Sequence, residues 1–469
     1  MRYLAFIIAA LTSAELQAFQ LAPRLVVSVT IDQLRSDYME AFSPLYTPQG
    51  FRRLLQQGLV YEGGAYPFSP VDRASAAATL STGTSPYYHG IVGERWLDRA
   101  TLQPVSSTLD SKSVPGPTRL LTSTVGDEMK VSSDGASIVY AFAADRESAV
   151  LSAGHAADGA YWIGSDGRWT GSSFYNAKFP KWLQAYNDLH FTKHNKKEDL
   201  HLNDHVVDAS LQAVTANAMG RDDVSDLLCL TLSATKPDGS PVTHWQTEME
   251  SVYMQLDNTL ARLISGIEKQ VGINRVLFVV TSTGYTDEQP VDLSRYHIPT
   301  GTFYINRTAS LLNVYLSAIY GQGRYVEQCF ANQMFLNHRL IEQKRVSMSE
   351  VLNRCQEFLV QCAGVADVYT SERLLAGNDD IRKQRNGFHP SRSGDIIVEV
   401  TPGWKLLNEE NLQTYTSRAA FIPFPVIFMG NGIKARHIQT PVTVDHIAPT
   451  VAKAIRIRAP NACQAEPMF

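Results

Sequence analysis

Six stretches of the chain are almost continuously apolar and rich in β-branched residues: LVVSVTI (25–31), SIVYAFA (137–143), LLCLTLS (227–233), RVLFVVT (275–281), DIIVEV (395–400) and FPVIFMG (424–430). A strand with one wet face alternates apolar and polar residues, so unbroken runs predict strands covered on both faces. Between them lie segments with helical spacing: GFRRLLQQG (50–58), the Ala-rich 74–80 stretch, 248–270, 310–321, 349–363 and 446–455. Buried strands separated by helices predict an α/β fold, a doubly wound, mostly parallel sheet with helices on both faces. Residues 157–215, with GSDGRWTGSSF and KHNKKEDLHLNDH, read as a loop-rich insertion. Residues 300–390 carry their own helical pattern and read as a smaller α/β elaboration packed on the main sheet. One domain over 19–469 accommodates all of these elements.

The first twenty residues, MRYLAFIIAALTSAELQAFQ, break this pattern. One Arg, an apolar run of about ten residues and small residues up to Ala18 have the form of a secretory signal peptide over 1–18. It is too short to span a bilayer comfortably. No later apolar run is long enough, so the expectation is a periplasmic or secreted protein without a membrane span. A net charge of −4 across 469 residues leaves no basic footprint for nucleic acid. The five cysteines have no metal-ligand spacing. In an oxidising compartment Cys329 with Cys355 or Cys362 is the nearest candidate bridge. Cys355 and Cys362 lie about 10 Å apart along a helix, too far to bond to each other.

In a doubly wound sheet, sites gather beyond the carboxyl ends of the strands. That rule selects Asp32 after the first strand, Lys236 after the third, Thr283 after the fourth, and the turn Asp72-Arg73-Ala74-Ser75 that opens the Ala-rich helix. A helix start offers free N–H groups and a positive dipole, a place where hydrolases set a nucleophilic hydroxyl.

Several blocks then carry a resemblance: LVVSVTIDQLRSDYM, TGTSPYYHGIVGERW, DRESAVLSAGHAADGAYW, YMQLD, FMGNGIK and HIAPTVA, in this order. Over residues 24–460 the chain resembles the alkaline phosphatase superfamily, most of all the secreted threonine-nucleophile enzymes of Bacteroidetes. The resemblance implies two zinc ions held by Asp and His, and in-line phosphoryl transfer to a Thr. It also implies where those groups belong here. Asp32 matches a metal-binding Asp. The nucleophile position, nine residues before Thr82, holds Arg73. Lys236 and Ser240 stand where a metal-binding Asp and His belong, and Thr283 and Gly284 stand in place of an Asp-His pair. A further His position falls near Thr414, in a segment without His. Glu94 takes the place of a phosphate-contacting Asn. Of a Lys-x-Arg pair, Ala144 replaces the Lys and Arg146 remains.

Two zinc ions need roughly four N or O ligands each, several anionic or imidazole, and Asp32 is the only retained ligand position. No cofactor is therefore expected. A buried Asp without metal needs a cation, so Asp32 is expected to pair with Arg73, Lys236 or both. Ser75 and Thr79 are weak substitute nucleophiles, because a hydroxyl needs a base or metal nearby; a hydrogen-bonding role at the helix start suits Ser75 better. Asp145-Arg146 reads as an anion contact or as a structural pair. The histidines His190, His194, His201 and His205 have four-residue pair spacing but lie in polar sequence and read as a solvated loop. His89, His297 and His446 read as structural, and the Tyr and Trp residues of 161–185 as core. The functional expectation is an exported, catalytically inactive pseudophosphatase that binds an unknown protein partner or an anionic ligand. The alternative is a metal-dependent phosphomonoesterase or phosphodiesterase with a rearranged site, using one metal near Asp32 or the His190–His205 segment.

Overall fold

The computed structural model describes residues 21–191, 201–236, 244–286, 297–416 and 422–469. Segment 1–18, His194 and Ser240 lie outside the described residues. Ten strands build the main sheet. In chain order they are β1 (Leu25–Asp32), β2 (Leu59–Ala65), β3 (Val139–Ala143), β4 (Gly159–Ile163), β5 (Trp169–Gly171), β6 (Asp226–Ser233), β7 (Val276–Ser282), β8 (Phe424–Gly430), β9 (Arg436–Ile438) and β10 (Val442–Thr443). Their spatial order is β9-β2-β8-β7-β1-β6-β3-β4-β5, with β10 also paired to β2.

β1 sits at the centre, parallel to β6 and β7. Its side chains alternate between two cores: Leu25, Val27, Val29 and Ile31 pack on one face and Val26 on the other. That two-sided burial is why the sequence shows an unbroken apolar run. Register fixes the site. Asp32 pairs with Ser233 of β6, and Ile31 pairs with Ser282 of β7, so three strands finish at one level. β3, parallel to β6, ends opposite Thr231, and the chain beyond it reaches the same edge at Asp145.

Five helices frame the site and its surroundings: α1 (Arg73–Thr82), α2 (Arg146–Ala153), α3 (Lys181–His190), α4 (Leu202–Ala216) and α5 (Trp245–Val271). α1 buries nearly all of its small side chains, which lets it pack closely beside α2. No helix among the described residues is long and apolar enough to cross a membrane.

Several expectations need correction. Residues 157–215 are not loop-rich, since they contain β4, β5, α3 and α4. The polar start of α4 hides its apolar stripe, Val206, Val207, Ala213 and Val214. His205 lies on α4 against Tyr186 and Phe191 rather than in a solvated loop. The 395–400 run belongs to a separate four-stranded antiparallel sheet with Val326–Phe330, Gln333–Leu336 and Val365–Thr370. Its burial alternates along Ile396–Val400, as a strand of a smaller layer requires. β8 is antiparallel to both neighbours. The elaboration extends past 390, because Trp404–Asn408 and Gln413–Thr416 join Gly301–Tyr304 in a three-stranded sheet over the same apolar core. All five cysteines are free. Cys329 and Cys355 fill that core as small apolar side chains, and burial pushes each thiol up to about 12.

Candidate functional site

At the carboxyl edge of the sheet, Asp32 is 3% exposed and both of its oxygens are engaged. Oδ1 accepts from the Thr283 hydroxyl at 2.9 Å, and that hydroxyl in turn accepts from the Gln33 N–H at 2.9 Å. Oδ2 accepts from Arg73 Nη2 at 2.9 Å and Nε at 3.2 Å. The expected cation for Asp32 is thus Arg73. Lys236, the other candidate, turns instead to Glu248 at 3.4 Å. Lys236 lies three residues past the end of β6, and the Glu248 it meets is on the first turn of α5.

Arg73 is the first residue of α1, where a positive charge meets the positive end of the helix dipole and costs stability. Acids around it offset this. Asp145 approaches at 3.8 Å and Glu94 at 3.9 Å, in addition to Asp32. Burial opposes the guanidinium charge, yet Asp32 and then Asp145 more than compensate and hold the group above its ordinary range. Asp72 caps α1, accepting from Ser75 N–H at 2.8 Å while the Ser75 hydroxyl closes the capping box. Its second oxygen accepts from Glu94 N–H at 2.7 Å, tying the loop after α1 to the helix start. Ser75 is therefore spent on the cap, as expected for a residue of its type there.

Asp145 and Arg146 are neighbours in the chain, but their side chains part company. Asp145 caps α2 through Ser148 N–H at 2.8 Å and faces Arg73; burial raises its carboxyl, with Arg73 pulling the other way. Arg146 turns away to Glu147, Thr108 and Ser106. The sequence does hold a signal for Asp145: it follows the carboxyl end of β3, the central strand end from which the crevice rule drew no candidate.

Gly284 has φ +68°, and a Cβ there would lie 2.6 Å from the Tyr66 ring and 2.8 Å from Phe424. Tyr66 is locked by a hydrogen bond from its hydroxyl to the Ser282 carbonyl at 2.9 Å. A histidine at 284 has no room. Thr414 lies on an exposed edge strand paired to Leu407, in the small three-stranded sheet. Thr79 and His89 are buried partners at 3.0 Å. His89 Nδ1 accepts from Ile91 N–H, so Nε2 carries the proton and donates to Thr79. Burial, with Arg392 nearby, lowers His89 to about 3, so it stays neutral. His190 and His205 rings stand 6.1 Å apart, but His205 Nδ1 is bound to the Tyr186 hydroxyl at 2.9 Å and His201 Nδ1 to Gln255 at 2.6 Å.

The donor set does not suit a pair of zinc ions. Asp32, the one retained ligand position, is occupied on both oxygens by a guanidinium and a hydroxyl, and the Asp145 and Glu94 carboxylates face the same guanidinium. Among the described residues no group of three or more His, Cys, Asp or Glu side chains could hold a metal ion. With three carboxylates around one guanidinium, the crevice floor also has little residual attraction for an anion.

These contacts set the outcome of two substitutions. Arg73→Ala leaves a buried carboxylate without its cation and is expected to lower unfolding free energy by about 3 kcal/mol, read from urea denaturation; an unchanged midpoint would contradict the pairing. Glu94 is pushed up to about 7 by burial and by Asp72, against the lowering by Arg73. The folded state thus holds this proton more tightly than the unfolded chain. Its contribution to stability is full below the ordinary carboxyl range and is lost as pH rises through 7. With 48% of the side chain exposed, solvent screening keeps the effect small. Glu94→Gln is expected to raise Tm by roughly 1–2 °C at pH 8 and to leave it unchanged at pH 4.5; an equal shift at both pH values would refute the titration.

Comparison with known proteins bears on this fold. A protein similar over 94% of this chain and 93% of its own length, at 26% identity, is the "Calcium-transporting ATPase" of Myroides odoratus. Alkaline phosphatase PafA of Elizabethkingia meningoseptica is 23% identical over 95% of this chain and 94% of its own. The crystal structure of wild-type PafA superposes with a TM-score of 0.83, covering 95% of this chain and 98% of that one at 22% identity. The family model for type I phosphodiesterase/nucleotide pyrophosphatase matches residues 26–420. That span takes in the main sheet from β1 to β7, the Arg73 turn and the two smaller sheets over 301–416, and the chain belongs to the type I phosphodiesterase/nucleotide pyrophosphatase family, with the fold of an alkaline phosphatase.

Proposed function

We propose that this protein is a catalytically inactive member of its family, a pseudophosphatase exported through its N-terminal leader and acting by binding. The observation that carries this reading is the Arg73–Asp32 pair. On the alignment implied by the family resemblance, Arg73 stands at the nucleophile and Asp32 at a metal ligand. A guanidinium stays protonated and cannot accept a phosphoryl group. It also supplies, beside Asp32, the positive charge that a metal would otherwise bring. Gly284, packed under Tyr66, supports the same reading from the opposite wall of the crevice. Binding of a protein partner or an anionic ligand is the remaining use of the fold, and the acid-rich crevice floor turns attention to other surfaces for an anion.

Zinc content and hydrolysis of p-nitrophenyl phosphate and bis(p-nitrophenyl) phosphate test the reading on purified protein. Substoichiometric zinc and no turnover above a heat-denatured blank are expected. Stoichiometric zinc with turnover abolished by a chelator would overturn it. Export is tested separately by N-terminal sequencing of protein recovered from the periplasm. A start at Phe19 is expected, and a retained Met1 refutes the leader.

A further inference from the structure

α1 connects two different places. Its first residue faces the crevice, and ten residues of helix rise put its far end about 15 Å away. There the turn Gly83-Thr84-Ser85 forms one wall of a cleft of ≈ 440 Å³. The other walls come from helices Ser371–Ala376 and Arg382–Gly387, which pack together through Leu374, Ile381 and Phe388, and from the C-terminal region at Asp445 and Gln464. The volume falls within the roughly 300–1,000 Å³ of small-molecule sites, which favour such junctions. The hollows beside Lys236 and beside Tyr66 hold only ≈ 80 and ≈ 70 Å³.

The lining has unspent hydrogen-bonding capacity. Thr84 and Ser85 are each 5% exposed, and neither side-chain hydroxyl has a hydrogen-bond partner among the described residues. Neither hydroxyl is among the buried unpartnered side-chain atoms, so both oxygens keep surface open to the cleft. The turn itself is rigid, since the Ser85 carbonyl accepts from both Tyr88 and His89 N–H groups. Arg382 forms no ion pair among the described residues, and Arg385 spends one N–H on the Gly377 carbonyl at 3.1 Å, leaving most of its fork free. Asp445 also lines the cleft; its Oδ1 is closed off from solvent without a hydrogen-bond partner, so its other carboxylate oxygen is the one open to a ligand. Tyr87 and Tyr88 meet edge to face, 5.1 Å between centroids, with Tyr88 exposed at the mouth.

Two guanidinium groups fit a phosphate, sulfate or carboxylate. A bare anion does not use the rest of the lining. It would leave the two hydroxyls and the tyrosine rings idle, and it would face the Asp445 carboxylate. The occupant must carry an anionic group for the arginines and hydroxyl donors for Asp445, on a body broad enough to reach both. We propose that this cleft binds a sugar bearing one anionic group: Arg382 and Arg385 take the charge, Thr84, Ser85 and Asp445 take the hydroxyls, and the tyrosines flank the ring. The cleft shares no residue with the crevice, so this site stands whether or not the crevice hydrolyses phosphoesters.

Calorimetric titration of the full-length protein tests it with glucose 6-phosphate, glucose 6-sulfate, glucuronate, glucose and inorganic phosphate. At least one anionic sugar is expected to bind with Kd below about 1 mM, and glucose and inorganic phosphate at least tenfold more weakly. The anionic arm that binds identifies the charged group. Arg382→Gln, at an exposed position, should weaken that sugar at least tenfold with Tm unchanged, and Arg385→Gln should act alike. Absence of binding by all three anionic sugars overturns the proposal. So does affinity untouched by either substitution, inorganic phosphate matching the best sugar, or equal weakening by Lys236→Gln, which would place the ligand in the crevice.

Discussion

A single buried carboxylate organises this end of the molecule. Asp32 closes the central strand at the level where its neighbours also stop, so it cannot retreat to solvent, and it must be matched where it lies. Arg73 meets it from the first turn of α1, a position that electrostatics alone disfavours for a cation. The arrangement holds because Asp72 caps the helix, Thr283 takes the second oxygen of Asp32, and Asp145 and Glu94 share the guanidinium. Helix start, strand end and two loops are thereby tied to one charge pair. Such a pair contributes more to the geometry of its surroundings than to net stability, because desolvation consumes much of its Coulomb gain.

The two ends of α1 then differ in character. At the Arg73 end, both Asp32 oxygens and the guanidinium are engaged with one another and with Thr283. At the Ser85 end, two hydroxyls, Arg382 and most of the Arg385 fork stand around an open volume without partners among the described residues, with the Asp445 carboxylate in the same lining. Polar groups that are satisfied internally serve structure, whereas unsatisfied ones lining a void are available to a ligand.

Much of this is legible in the chain. Two-sided burial writes the central strands as unbroken apolar runs, and the rule of strand carboxyl ends leads to Asp32, Thr283 and the 72–75 turn without any structure. Other parts are less visible for identifiable reasons. Ile396–Val400 has the composition of a central strand, and composition does not say which sheet a strand joins. α4 opens with Leu-Asn-Asp-His, so its stripe begins a turn late. Lys236 is a sound candidate by position, but the partner that claims it, Glu248, sits on α5, and only the fold brings that helix beside it. Asp145 is obscured by its neighbour, since adjacent opposite charges suggest a pair although helix geometry sends them to different sides. The cleft at Thr84 and Ser85 combines segments separated by about three hundred residues, and no local pattern announces it.

The contact between Tyr66 and Gly284 has a consequence for how this chain can change. A side chain at 284 requires the tyrosine to leave, but removing the tyrosine first opens a hole beside Phe424 and frees the Ser282 carbonyl. Either order passes through a damaged intermediate, so the two positions are coupled by mutual exclusion. The packing behaves as a latch: single substitutions can loosen it but cannot seat a side chain at 284.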